Sequence, residues 1–355
     1  MKKTLIAILF LWHSFAGAQV ITGVVCDQDS KLPVFGVYVY LDGTSINTIT
    51  NNSGKFELKT NSVINTRLVL HHLSYETAII NLPLEGLPDT LYIKERINTI
   101  GEVAIRADRF TREEKLKSFR EQFLGMTRAG RSCTILNEDD IELTVNMQTQ
   151  TLTASSDKPI VVVNNYLGYK ISFVLVDFEV RYNNFTIMVG RSGASYLDNN
   201  NVQGCFYAVV SLFTDTAPDN RRIKRHRENV YEQSTNYFFK SFANETLQEN
   251  KFTIYNRSFP VNPQNYFAIK DTLSQKMISI IPETNINKPY SDYTKSQTLG
   301  MISVLYRKTD QSTIYFMTDS FLVDQYGNTD QIDKILFSGH IGQNRAGGML
   351  PIDYE

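Results

Sequence analysis

Apolar and polar residues alternate with a period of two through the first part of the chain, the pattern of strands buried on one face. Ile21, Gly23 and Val25 share one side of an extended segment, and Val37, Val39 and Leu41 share one side of the next. Residues 27–31, 42–47 and 51–54 gather Asp, Gly, Ser and Asn, which reverse a chain by adopting positive φ or by bonding to nearby backbone. Phe56 and Leu58 then alternate with Lys55, Glu57 and Lys59, and residues 67–70 and 75–82 supply two more strands. Short strands at this spacing predict a β-sandwich over residues 19–95.

Past a linker at 96–111 the period changes. Leu116, Phe119 and Phe123 recur at three and four, with Lys115, Lys117 and Arg120 on the other faces, which predicts a helix over 112–123. Strand patterning returns at 141–145, 159–164, 169–180 and 184–189. A long helix is expected over 216–249, opened by a Thr216/Asp219 capping box with Pro218 in the first turn. Ile223, His226, Val230, Tyr237, Phe238 and Phe242 make its apolar face. Strands at 253–259, 276–281, 300–306 and 313–318 follow, so residues 112–355 read as a mixed α+β domain and the whole chain as mainly β.

The first module resembles the carboxypeptidase regulatory-like domain, a prealbumin-like β-sandwich. The likeness rests on Gly23, Val25 and Asp27, then Leu32, Pro33, Gly36 and Val37, then Gly43 and Thr44. It continues through Thr50, Gly54, Phe56 and Leu58 to His72, Ser74, Tyr75 and Glu76, with Asn51 and Ser74 departing from the usual Asp and Gly. Such modules stand beside the catalytic domain of some metallocarboxypeptidases and at the front of outer-membrane proteins of the Bacteroidetes type. Residues 97–107 resemble the strand that joins the module to a receptor plug, but the chain beyond is too short for both plug and barrel. Residues 119–125, 159–178 and 347–355 are similar to the C-terminal region that accompanies the module in the same bacterial group.

The first 18 residues read differently. Lys2 and Lys3, an apolar run from Leu5 to Trp12 and the small residues Ala16, Gly17 and Ala18 form the pattern of a secretory signal peptide cleaved before Gln19. Export to the periplasm, the outer membrane or the medium is therefore expected. Losing Lys2 and Lys3 takes the formal charge from −1 to about −3, which gives no general attraction to nucleic acid. The rest of the sequence has no apolar run of the length that spans a bilayer as a helix. Cys26, Cys133 and Cys205 are odd in number and far apart, the usage of small buried hydrophobes with room for at most one bridge.

Candidate chemistry is sparse. Arg221, Arg222, Lys224, Arg225 and Arg227 crowd the start of the long helix, where cations oppose the helix dipole. They read either as a contact for an anion or partner, or as a solvated face paired within the domain. None of His71, His72, His226 and His340 has a Glu three residues on, so the ligand pair of a zinc carboxypeptidase is missing and no metal or cofactor is expected. Ser192 sits in Gly-Arg-Ser-Gly-Ala, which lacks the second Gly of a nucleophile elbow and reads as a turn. Asp139 and Asp140 read as loop charges. Tyr166, Tyr169, Tyr182 and Tyr196 could line a groove or fill a core. Asp89-Thr90-Leu91, Asp215-Thr216-Ala217 and Asp271-Thr272-Leu273 look like O-glycan attachment sites. Two functions remain: a noncatalytic envelope protein that binds a protein or glycan partner or acts as a scaffold, and a hydrolase of peptide or glycan with its site in the C-terminal region. A pair of titratable side chains in a cleft separates them.

Overall fold

A computed structural model describes residues 19–60, 64–82, 87–96, 110–183, 185–187, 195–272, 274–282, 284, 286 and 298–354. The expected leader, the 97–107 strand and Ser192 lie outside these residues.

Among the described residues seven strands build the first module: β1 (Gln19–Asp27), β2 (Tyr38–Leu41), β3 (Asn47–Ile49), β4 (Lys55–Thr60), β5 (Arg67–His71), β6 (Ala78–Asn81) and β7 (Thr90–Ile93). They form two facing sheets, β4-β1-β7 and β3-β2-β5-β6. Val25, Val37, Val39, Leu41, Phe56, Leu58, Leu68 and Leu70 fill the space between them, as the alternation predicts. The turn residues act as expected. Asp27 Oδ1 accepts from the backbone of Asp29 and Ser30, and Asn51 Oδ1 accepts from Ser53 and Lys55. Gly54 has φ +69°, and a Cβ there would lie 2.4 Å from the carbonyl of Val25. Buried Thr50 donates to Val34 O and accepts from Val37 N, which ties the turn at residues 35–36 to the start of the turn at Asn51.

The region behind carries two separate cores. The first is a sheet of β8 (Cys133–Ile135), β9 (Ile141–Asn146), β10 (Thr151–Ser156), β11 (Ile160–Asn164), β12 (Tyr169–Tyr182) and β15 (Val202–Asp215), with the short hairpin β13 (Thr186–Ile187) and β14 (Ser195–Tyr196) alongside. Helix α1 (Arg112–Leu124) lays Phe119 and Phe123 on Phe173 and Phe178 of β12. A Thr111/Glu114 capping box starts it. The four-residue α2 (Arg128–Arg131) follows.

The helix expected over 216–249 is realised as two, α3 (Arg221–Tyr231) and α4 (Thr235–Ala243). Asn220 caps α3 in place of Thr216, its Oδ1 accepting from Arg222 N and Ile223 N. Ser234 then accepts from Tyr237 N and opens α4, so the chain turns between them. Packing decides the break: Val230 belongs to the first core, and Phe238, Phe239 and Phe242 to the second. That second core lies among α4, the sheet β17-β16-β20-β21-β23 and the sheet β18-β19-β22. These strands are β16 (Phe252–Asn256), β17 (Phe259–Pro260), β18 (Phe267–Asp271), β19 (Lys276–Ile280), β20 (Gly300–Tyr306), β21 (Asp310–Phe316), β22 (Ser320–Val323) and β23 (Ile335–Gly339). No helix among the described residues is long and apolar enough to cross a membrane.

The sandwich is not a free appendage. Tyr40 and Val69, on the outer face of its second sheet, are buried against Val210 of β15. Asp42 accepts from Ser211 N at 2.8 Å and from Arg67 at 2.6 Å, and burial pushes its carboxyl up from the usual range. Asn65 N donates to Asp324 at 2.9 Å, linking the sandwich to the second core. The last residues then cross all three modules. Asn164 Nδ2 donates to Gly347 O, Ile352 N donates to Gly43 O, Asn328 Nδ2 donates to Ile352 O, and the Tyr354 ring meets Tyr231. At Gly347 the strap passes so close to α1 and α2 that a Cβ would lie 2.5 Å from Leu124 O and 2.6 Å from Gly130 Cα.

Candidate functional site

Helix α3 carries the basic run, and its 3.6-residue period divides the five cations. Arg227 points inward and is buried. Its guanidinium forks onto both oxygens of Asp215 at 2.7 Å, donates to the carbonyls of Leu167 and Gly168, and lies 3.9 Å from the centre of the Tyr169 ring. In return it holds the Asp215 carboxyl below the usual range. Arg227 is thus the part of the run that is paired within the domain. Arg221, Arg222, Lys224 and Arg225 are exposed and form no ion pair among the described residues. No acidic residue lies in the first turn to offset them.

On the side of α3 that carries His226, the imidazole stacks face to face on Tyr166 at 3.9 Å. Its Nδ1 donates to the Tyr166 carbonyl at 2.9 Å. Arg128 lies 5.2 Å from the same ring. Gln233, at the end of the helix, accepts from His340 Nε2 at 2.8 Å and donates to Asn229 O. Arg128, Tyr166, Asn229, Gln233 and His340 border a cleft of about 140 Å³ with no carboxylate among its described lining residues.

A wider cleft of about 390 Å³ lies beside α4, lined by Phe242, Leu247, Val261 and Ile269 with the amides of Gln248, Asn262 and Gln264. Glu245 is the one ionisable side chain lining it among the described residues, and Gln264 donates to its carboxylate. Sequence reasoning missed both clefts: the smaller joins segments far apart in the chain, and the wider, though confined to residues 242–269, is shaped by how α4, β16 and the turns between β16 and β18 pack.

The remaining candidates fall into structural roles. His71 bonds to Thr77, and His72 sits edge-on to Tyr75. Asp140 pairs with Lys158. Tyr169 and Tyr182 are buried, so of the tyrosine cluster Tyr166 is placed on a cleft, while the side chain of Tyr196 lies outside the described residues. The three cysteines are free. Cys133 is pushed up to about 12 by burial, which suits a small core side chain rather than a nucleophile. No group of three His, Cys, Asp or Glu among the described residues is placed to hold a metal ion.

Comparison of the whole chain with curated proteins finds no match. The family model for the CarboxypepD_reg-like domain matches residues 21–105, running past the sandwich into the stretch expected as a linker. With its two facing sheets and Thr50-tied turns, the N-terminal module of this chain is a CarboxypepD_reg-like domain.

Proposed function

We propose that the chain is an exported, noncatalytic binding or scaffold protein of the cell envelope, resident in the periplasm, at the outer membrane or in the medium. In this reading the CarboxypepD_reg-like domain braces the rest of the chain, and the region behind it engages an envelope protein or glycan. The observation that carries the reading is the lining of the wider cleft. Hydrolysis of a peptide or glycosidic bond by side chains needs an acid and a base or nucleophile facing one another. Among the described residues that cleft offers Glu245 alone, already held by an amide. The exposed cations of α3 supply a surface for an acidic partner, and they leave the nearby Asp215 to Arg227.

The test incubates the purified chain with peptide and glycan polymers and follows bond cleavage, while cell fractionation locates the native protein and mass spectrometry reads its first residue. No cleavage is expected, with the protein in the envelope or medium and beginning at Gln19. Cleavage that Glu245→Gln abolishes, or a protein kept in the cytosol with residues 1–18 attached, would reverse the reading.

A further inference from the structure

The smaller cleft has a distinctive chemistry. Arg128 brings a full positive charge, is exposed, and makes no hydrogen bond or ion pair among the described residues beyond its contact with the Tyr166 ring. The side-chain amides of Gln343 and Asn344 stand on the same cleft, likewise without hydrogen-bond partners among the described residues. Gln233 and His340 are bonded to each other, which fixes that wall. Helical spacing then extends the positive field outward. Arg222 and Arg225 precede Asn229, a lining residue, by seven and four positions, so they share its side of α3.

These groups select a ligand by charge, hydrogen bonding and size. A guanidinium with no competing carboxylate among the described lining residues suits a carboxylate, which it can grip with two parallel bonds. Primary amides both donate and accept, which suits hydroxyls; a bare phosphate only accepts unless it is protonated. A volume of about 140 Å³ takes one ring-sized group and not a chain. We infer that this cleft binds a single acidic sugar unit at the end of a glycan, with Arg128 on its carboxylate and Gln343 and Asn344 on its hydroxyls. The cations Arg222 and Arg225 draw the acidic chain toward it. This inference rests on the binding reading above and supplies its ligand class.

Calorimetric titration of the full chain with glucuronate, glucose and inorganic phosphate tests it. Glucuronate should bind saturably and glucose about tenfold more weakly. Arg128→Gln should remove that preference by weakening glucuronate about tenfold, and Gln343→Ala should weaken both sugars. Both side chains lie outside the cores, so an unchanged thermal midpoint checks the fold of each variant. Glucuronate binding no tighter than glucose, an unaffected Arg128→Gln, or phosphate displacing glucuronate on equal terms would overturn the assignment. Cleavage of a glucuronide with these affinities intact would instead overturn the noncatalytic reading alone.

Discussion

Arg227 shows how one residue in a uniform run acquires a separate role. In sequence it is the fifth cation of a crowded segment, and nothing local marks it out. The helix turns it toward the first core, where two carbonyls, the Asp215 carboxylate and the Tyr169 ring are arranged around it. Arg227 is buried while the Asp215 side chain it grips is about one-third exposed, so water compensates the carboxylate left behind and Arg227→Ala should cost about 2–3 kcal/mol, the worth of the charged hydrogen bonds and packing lost. Urea unfolding at neutral pH measures that loss; a cost under about 1 kcal/mol would count against the role, being no more than exposed pairs contribute. The pH dependence has a definite sign. Asp215 is held below its ordinary value of 3.8, so its stabilisation is complete above that value and is lost as the pH falls through the lowered one. The Ala variant should lack this acid-side loss.

At the scale of elements, the break between α3 and α4 is the main departure from what periodicity predicts. The apolar positions from Ile223 to Phe242 fit one continuous helix, and residues 232–234 contain neither Gly nor Pro. Ser234 instead caps α4, and its hydroxyl also donates to Tyr231 O. Ser234→Ala should therefore destabilise the chain by about 1 kcal/mol, the usual value of an N-cap, read as a shift of the urea midpoint at unchanged slope. No shift would mean that packing of Phe238 and Phe242 alone sets the break. Strand β15 was missed for a related reason. Its residues 202–215 lack a clean alternation, because different stretches are covered by the α1 core, by the sandwich or by solvent. β12 was legible from 169 to 180 because its polar breaks are local, and the fold extends it to Tyr182.

At the scale of the molecule, the three cores are tied by a strap that no local pattern announces. Residues 344–354 contact the sheet under α1, the sandwich at Gly43 and, at Asn328, the loop that follows β22 of the second core. Deleting residues 351–355 should remove about 2–4 kcal/mol through the lost Ile352 side chain and its backbone bonds. Thermal unfolding should then separate into more than one transition; a single transition at the original midpoint would show that the strap is dispensable. Residues of the segments 119–125 and 159–178, singled out separately in the sequence, meet Gly347 of the strap through Leu124 and Asn164. Sequence by itself determined the sandwich, because its alternation, its turn residues and Thr50 act over short stretches of chain. It also placed α1, whose cap and apolar stripe are local, and it marked the basic run. Only the tertiary structure decided which cation is buried, where the second helix breaks, and that Arg128, Gln343 and Asn344 share a cleft. Those outcomes depend on which core each side chain reaches, and contacts between residues hundreds of positions apart leave no period in the sequence.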